Sequence, residues 1–161
     1  KEKGVDKLIS AFLDTNLSGV HLKIVGDGPL SKVLKEKYQN MSQIHFEGVI
    51  ANDQVLNLIA GSRAVVTATR LWEGQPTLLC EASLLGVPSI FPNTGGIGEF
   101  FPANYDLSFE QFNYKELQKK LEIIINKEDM NRIGKTNQDF ILNYLNTKKL
   151  KDTFNMITNE K

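Results

Sequence analysis

Short strand patterns alternate with helical patterns along most of this chain. Strands are predicted at 21–25, 44–47, 64–68 and 89–91, and helices at 5–13, 30–38, 52–60, 77–85 and 114–125, with two further helical stretches towards the C-terminal end. Strands separated by helices are typical of a parallel sheet, because each parallel strand needs a crossover connection that a helix can supply. The pattern therefore predicts an α/β fold, a Rossmann-like parallel sheet with helices on both faces.

The length and composition narrow the possible classes of protein. A chain of 161 residues is expected to form a single domain, 1–161. Its 19 basic and 19 acidic side chains cancel, so no net charge favours nucleic acid or an anionic membrane as a partner. The single cysteine, Cys80, cannot form an intrachain disulfide, and no apolar run is long enough to span a membrane. We expect a cytoplasmic protein, and also a fragment, because the chain opens at KEKGVDKLI as though already inside an element.

Three glycine-containing loops are predicted at one edge of the sheet. The loops are 26–29 (GDGP), 68–76 and 93–99 (NTGGIGE). Each follows a predicted strand, and ligands bind at the carboxyl ends of the strands in open α/β folds, so the loops should converge there. Gly26 and Gly28 suit tight turns, and Gly95 and Gly96 would let the backbone approach a ligand closely. Although GDGP alone is more simply a turn, the three loops together favour a binding site.

Two glutamates, Glu73 and Glu81, flank the start of the helix predicted after the second loop. Pro76 suits the first turn of that helix, and the free N–H groups of a helix N-terminus attract phosphate. Glu81 lies in a stretch that is apolar nearly all round, so its carboxylate is expected to be buried and to need a partner such as a ribose diol. A nucleotide-sugar, with a diphosphate between two hydroxyl-rich groups, fits this arrangement.

Other chemically notable side chains have simpler structural interpretations. Trp72 is expected to cover the core, with stacking on a ligand as the alternative, and Cys80 is expected to be inert packing. His21 and His45 lack Cys or carboxylate neighbours at ligand spacing, so they do not predict a metal site. Arg70 fits either a surface ion pair or a contact with a phosphate or an acidic acceptor. No Ser-His-Asp, Cys-His, Walker or DxD pattern is present.

With these residues in view, the chain resembles the C-terminal, donor-binding domain of GT-B glycosyltransferases of the retaining family 4. The resemblance rests on KGVDKLISAF (3–12), LKIVGDGP (22–29), IHFEGVI (44–50), EGQPTLLCEASLLGVPSI (73–90) and TGGIGE (94–99). The middle block is specific and the others are supportive. Bacterial enzymes that make capsular or other surface polysaccharides are similar in style.

The resemblance implies roles for individual residues. Glu73 would be the catalytic residue, near the transferred sugar and its leaving phosphate, where it orients the sugar without being assigned as a nucleophile. Lys3 would contact the donor diphosphate, and Glu81 would bind the ribose hydroxyls. The backbone of Ile50 would meet the base. The other residues implied in substrate binding lie in turns or at the helix start, and they are Gly28, Gly74, Gln75, Thr77, Leu78 and Gly96.

The resemblance further implies transfer of a glycosyl group, of the hexosyl type, to an acceptor hydroxyl with retention, and it implies no metal or other cofactor. The expected partners are a nucleotide-diphosphate sugar and an N-terminal domain of the same full-length protein, through which the protein would associate with the inner face of the membrane. Two departures are Thr69 and Arg70, where many relatives have Pro-Ser, and a shortened loop at 101–109. A related GT-B-like sugar epimerase or glycogen phosphorylase relative and a non-catalytic Rossmann-like interaction module remain as alternatives.

Overall fold

The computed structural model describes residues 2–148 and 151. Its helices are α1 (Val5–Thr15), α2 (Ser31–Tyr38), α3 (Asn52–Ala60), α4 (Thr77–Leu84), α5 (Tyr114–Ile123) and α6 (Lys127–Tyr144). Its strands are β1 (Leu22–Val25), β2 (Ile44–Gly48), β3 (Val65–Val66), β4 (Ser89–Asn93) and β5 (Ser108–Glu110), and a short 3₁₀ helix spans Ile97–Phe100. The tail after Thr147, predicted to be helical and exposed, lies almost entirely outside the described residues.

All the strand pairs are parallel, which confirms the predicted α/β class with helices on both sides. β1 pairs with β2 in the register Leu22 to Ile44, whereas β3, β4 and β5 form a second hydrogen-bonded group in that order. The N–H of Gly26 donates to the carbonyl of Gly48 (2.6 Å), which holds the GDGP loop beside the end of β2. The loops that follow β1 and β2 therefore leave the same edge, as parallel strands require.

The sequence analysis missed one strand and overestimated another. β5 has three residues, Ser108–Glu110, and it begins inside the loop that the resemblance marks as shortened. Three residues are too few to show an alternating pattern, although Leu107 and Phe109 are buried. β3 consists of Val65–Val66 alone instead of 64–68, although the N–H of Thr67 still donates to the Ile90 carbonyl of β4 (2.9 Å).

The core is built from one face of the amphipathic helices against the strands. Buried Leu8, Ile9 and Phe12 of α1 pack in the same apolar cluster as Leu117 and Leu121 of α5. Residues three and four apart lie on one side of a helix, so this spacing presents a continuous apolar stripe to the sheet. Complete burial of a side chain of this size contributes about 1.5–3 kcal/mol, and this packing fixes the frame on which the loops lie.

His21 and His45 contact each other. Nδ1 of His21 and Nε2 of His45 are 2.9 Å apart, at a distance where one ring donates and the other accepts a hydrogen bond. The pair lies at the start of β1 and on β2, where the parallel register brings the two strands side by side. Within the described part of the chain, no group of three or more His, Cys, Asp or Glu side chains is placed to hold a metal ion. In the same part, no helix has the length and apolar character that crossing a membrane requires.

A half-buried tyrosine, Tyr105, joins α6 to β4. The Tyr105 hydroxyl donates to the Ser89 carbonyl (2.9 Å) and accepts from the Ser89 N–H (3.0 Å) and from the Asn137 amide (3.1 Å). Burial raises the pKa of Tyr105 to about 12, so the hydroxyl keeps its proton over the physiological range. These bonds hold the strand that leads into the 93–99 loop.

Gly134 in α6 provides a test of the helix packing. A Cβ at this position would overlap the Gly86 carbonyl oxygen. Alanine is the better helix former by about 1 kcal/mol, so propensity and packing predict opposite signs for Gly134→Ala. We expect packing to dominate and the variant to lose about 2 kcal/mol of unfolding free energy, measured by urea denaturation.

Gly61→Ala is the matched control, because the atoms nearest to a methyl group at that position would lie at ordinary contact distances of 3.6 Å and beyond. This variant should change the unfolding free energy by less than about 0.5 kcal/mol. A Gly134→Ala protein as stable as the wild type would contradict the packing of α6 against residues 86–88.

Candidate functional site

The Glu73 carboxylate is held by two side chains from different segments. The Lys3 ammonium and the Thr69 hydroxyl both donate to Oε1 of Glu73, at 2.5 Å and 2.9 Å. The Glu73 side chain is 27% exposed, so it faces the outside without being fully solvated. The structure thus brings together Lys3 and Glu73, the two predicted residues with the most direct chemical roles.

This environment keeps Glu73 ionised. The hydrogen bond from Lys3 is the largest cause of a lowered pKa for the Glu73 carboxyl, and the bond from Thr69 and the charge of Lys3 act in the same direction. Partial burial opposes them, because removal from water disfavours the charged form. The net direction is downward, so Glu73 is a carboxylate at neutral pH and suits a hydrogen-bond acceptor better than a general acid.

The backbone of Glu73 is fixed by the glycine turn. Gly95 has a left-handed φ of 59°, and a Cβ there would overlap the carbonyl of Glu73. The N–H of Gly96 donates to that same carbonyl (2.9 Å). The close approach predicted for these two glycines is therefore made to the protein backbone at Glu73, and the N–H of Gly96 is already occupied.

The segment that carries Lys3 is anchored next to the same loop. Gly4 has a left-handed φ of 65°, and a Cβ there would overlap the Ala68 carbonyl oxygen. The N–H of Arg70 donates to the Glu2 carbonyl (2.8 Å). The Arg70 guanidinium also contacts both carboxylate oxygens of Asp6 at 3.1 Å. Of the two interpretations that the sequence allows for Arg70, this contact is the ion pair.

A pocket of about 270 Å³ opens beside Lys3. It is lined by the N-terminal segment, by β1 and by the whole GDGP loop, including Gly28. Hydrogen bonds from the Ser31 side chain and the Gly28 backbone lower the pKa of Asp27, which is exposed in this loop. The pocket lining therefore combines the Lys3 ammonium and the Asp27 carboxylate with apolar residues such as Ile24 and Phe46.

The start of α4 is open to solvent. Gly74, Gln75, Thr77 and Leu78 are all exposed, so a ligand can reach this end of the helix. The N–H of Thr77 donates to the Gln75 carbonyl (3.1 Å). This backbone amide, one of those expected to bind the substrate, is therefore engaged within the loop. The Pro76 carbonyl accepts the N–H groups of the first helical turn, which agrees with its predicted role in shaping the turn.

The predicted burial of Glu81 is wrong. Its side chain is only half-buried, because α4 buries one face alone and leaves Leu78, Leu84 and Leu85 about 40% exposed. Among the described residues, no hydrogen bond or ion pair reaches the Glu81 carboxylate. Ile50, also half-buried, lies just after β2 and close in sequence to Gly48, which bonds to the GDGP loop. The structure places neither Glu81 nor Ile50 in the hydrogen-bonded group around Glu73.

Comparison with known proteins identifies the family. The family model described as "Glycosyl transferases group 1" matches residues 1–141, which is most of the chain. The chain belongs to the group 1 glycosyl transferases. No curated protein sequence matches it closely enough to count as a relative.

Solved structures share the fold of this group 1 glycosyltransferase domain. One of them is S. aureus TarM in complex with fondaparinux, α-GlcNAc-glycerol and UDP, which is 17% identical with a TM-score of 0.83. The match covers 96% of this chain and 32% of the TarM chain. The catalytic domain of cholesterol-α-glucosyltransferase from Helicobacter pylori is 22% identical (TM-score 0.76; 89% of this chain, 92% of that one). Anabaena Alr3699/HepE in complex with UDP and glucose is 19% identical (TM-score 0.79; 99% and 45%). At these identities the likeness shows the fold, that of the GT-B glycosyltransferases.

Beside Glu73, the expectation for Trp72 is wrong and a contact of Thr69 is one that the sequence does not indicate. Trp72, expected to cover the core, is 85% exposed. Thr69 stands out in the sequence only as a departure from relatives, yet its hydroxyl binds Glu73 and also accepts the N–H of Leu71 (3.2 Å). The spacing of four residues between this threonine and the glutamate does not predict a contact, because residues four apart lie side by side regularly in a helix but not in a loop.

The charge pair predicts a specific pH dependence of stability. Folding lowers the pKa of the Glu73 carboxyl from its ordinary value of 4.5. The ionised carboxylate therefore stabilises the protein at pH values above 4.5, and this contribution disappears as the pH falls through the lowered pKa. At pH 7, Glu73→Gln should therefore lower the unfolding free energy by about 1 kcal/mol or less, since its partner is largely exposed. The difference from the wild type should shrink in urea denaturation as the pH falls below 4.5 and through the lowered pKa of Glu73.

Glu99→Gln is the control, because Glu99 is exposed and its carboxylate has no hydrogen bond among the described residues. Its substitution should have an effect below about 0.5 kcal/mol. A difference between the wild type and Glu73→Gln that stays constant from neutral to acid pH would show that Lys3 and Glu73 are not paired in solution.

Proposed function

We propose that this domain binds a nucleotide-diphosphate sugar and that, in a longer protein, it transfers the glycosyl group to an acceptor hydroxyl. The observation that carries this proposal is the Lys3–Glu73 pair, whose lysine also lines the pocket that extends to the GDGP loop. A cation for the diphosphate and a carboxylate for the sugar hydroxyls are thereby placed side by side. UDP in the solved complexes of TarM and Alr3699/HepE supports a nucleotide as the ligand class.

In this proposal one part of the donor binds in the pocket and the other part binds at the start of α4. The nucleoside occupies the pocket between Lys3 and Gly28, whose apolar lining suits a base and whose rim is open to the diphosphate. The exposed loop at Gly74 and Gln75 then receives the sugar next to Glu73. Glu81, with a half-buried and unpaired carboxylate among the described residues, binds the ribose diol, as the resemblance implies.

The reaction is a substitution at the anomeric carbon, and the nucleoside diphosphate is the leaving group. Negative charge accumulates on the phosphate as the glycosidic bond breaks, so the Lys3 ammonium stabilises the transition state more than the ground state. Glu73 remains ionised, orients the sugar by accepting its hydroxyl protons and stabilises positive charge developing on the ring. We propose that transfer retains the anomeric configuration, as the resemblance implies. We also propose that it needs no metal, because the Lys3 ammonium and the N-terminus of α4 supply positive charge for the diphosphate.

The acceptor lies against a second domain in this proposal. The chain spans 32% of the length of TarM and 45% of that of Alr3699/HepE, so a whole transferase of this kind contains far more protein. We propose an N-terminal Rossmann-like domain that supplies the acceptor site, a hexosyl donor, and a role in polysaccharide synthesis at the cytoplasmic side of a membrane. A non-catalytic module would have the end of the 68–76 loop covered. Gly74 and Gln75 in that loop are exposed, which does not favour this alternative.

Calorimetry tests donor binding directly. We expect at least one of UDP, GDP and ADP to bind this chain, and Lys3→Ala to weaken that binding about tenfold through loss of a charge-assisted hydrogen bond. Lys23→Ala is the matched control, because Lys23 is an exposed lysine on β1 that does not line the pocket. Absence of heat with all three nucleotides at millimolar concentration would overturn the proposal of donor binding.

Kinetics of the complete enzyme test the role of Glu73. Glu73→Ala should reduce kcat about 100-fold or more, because a group that stabilises transition-state charge is removed. Glu47→Ala, which removes an exposed carboxylate on β2, should leave kcat unchanged. Near-normal transfer by the Glu73→Ala enzyme would exclude the catalytic assignment even if the nucleotide still bound.

A further inference from the structure

Trp72 is an exposed aromatic residue on a firmly held loop. It is the only tryptophan of the chain, it follows Leu71 and precedes Glu73, and it is 85% exposed. Among the described residues its indole N–H has no hydrogen-bond partner, and no ring contact or cation–π contact involves it. Tryptophan is usually well buried because of its large apolar area, so this exposure is unusual for a residue next to a catalytic candidate.

The backbone around Trp72 has little freedom to fold the indole inwards. The carbonyl of Leu71 accepts from the Thr94 hydroxyl (3.4 Å) and from the Gln111 amide (3.3 Å). The same Gln111 amide also reaches the Thr69 carbonyl (3.4 Å). On the other side, Gly95 and Gly96 clamp the backbone of Glu73. The exposure of the indole is therefore a consequence of a loop fixed at both ends.

A second exposed aromatic residue lies on the neighbouring loop. Phe112 is 58% exposed and has a φ of 71°, a left-handed conformation that is rare for a bulky residue. Backbone strain of this kind costs about 1–3 kcal/mol and is found most often at functional sites. Phe112 directly follows Gln111, whose amide bonds to Leu71, so the two aromatic residues project from loops that are joined by one side chain.

We propose that Trp72, together with Phe112, is the stacking platform for the pyranose ring of the acceptor. The inference rests on the proposed transferase function and adds one contact from this domain to the acceptor site that we assign to the N-terminal domain, which names a pyranose as the acceptor class. A pyranose has an apolar face of C–H groups that packs on an aromatic ring, and hydroxyls around its edge that can bond to the indole N–H. Stacked on Trp72, such a ring lies one residue from the carboxylate that we assign to the transferred sugar.

The acceptor fits this surface better than the donor does. Trp72 is not among the residues that line the pocket between Lys3 and Gly28, which we assign to the donor nucleotide. The Leu71 carbonyl before it bonds to residues that follow β4 and β5, whereas the Glu73 carboxylate after it bonds to Lys3. The loop thus separates the donor side, at Lys3, from a side at Gln111 that has no other assigned ligand.

Fluorescence of this chain tests the platform directly, since all tryptophan emission comes from Trp72. With UDP present, we expect a methyl pyranoside from a panel of glucose, galactose and N-acetylglucosamine derivatives to shift the emission to shorter wavelength. Sorbitol, an acyclic polyol with the same hydroxyl chemistry, should leave the emission unchanged. An emission that no pyranoside shifts, or that sorbitol shifts equally, would overturn the proposal.

Kinetics of the complete enzyme provide the second arm. Trp72→Ala should raise the acceptor KM about tenfold while the donor KM stays constant, and Trp72→Phe should retain most of the affinity. Ile125→Ala is the control, because Ile125 is 55% exposed but lies beyond the far end of α5. An unchanged acceptor KM would overturn the platform, and an equal rise of both KM values with lower thermal stability would assign Trp72 to contact with another domain instead.

The two proposals fail in different ways. If the wild-type enzyme neither binds a nucleoside diphosphate nor transfers a sugar, the transferase function itself is wrong. If it binds the nucleotide and transfers normally while Trp72→Ala keeps the wild-type acceptor KM, only the platform is wrong.

Discussion

The close approach of backbone segments at glycine is the constraint on which the site depends. Gly4 lies against the Ala68 carbonyl and Gly95 lies against Glu73, and neither position has room for a side chain. The Gly4 contact brings the N-terminal segment beside the loop that carries Glu73, and the Lys3–Glu73 hydrogen bond joins side chains 70 positions apart in sequence. Backbone contact leaves few rotatable bonds between the functional groups and the core. The site is thereby preorganised before any ligand binds, which is the condition for effective electrostatic catalysis.

The pairing of Lys3 with Glu73 also determines what can bind there. The two charges neutralise each other, and the lowered pKa of Glu73 shows that the carboxylate prefers this partner to a proton. In the proposed function, a diphosphate competes with Glu73 for the ammonium, and the freed carboxylate accepts sugar hydroxyls. A ligand that offers only the phosphates or only the hydroxyls satisfies one of the two groups and leaves the other without its partner. In this proposal the pair favours a ligand that carries both groups, a nucleotide-sugar, over either component alone.

The fold could be predicted from the sequence where the local pattern is long enough. The helices α1, α4 and α5 begin where the apolar spacing indicates, and Pro76 adds to that signal for α4, because helical periodicity is visible over eight or more residues. β5 has no comparable pattern in three residues. In the site, Lys3 followed from the resemblance alone, since nothing in its local sequence indicates a partner 70 positions away. The exposure of Trp72 depends on hydrogen bonds from distant loops, so its apolar character misled the interpretation.

The residues that contradict local expectation are concentrated at one edge of the sheet. Three described residues other than glycine have a left-handed φ, and two of them are asparagines, which tolerate it. The third is Phe112, next to the glutamine that bonds to the Trp72 loop. An exposed tryptophan and a strained phenylalanine both cost stability, and a fold could avoid both with a polar residue and a glycine. That both occur where two loops meet beside Glu73, while the buried helix faces follow the expected pattern, is what a binding surface requires.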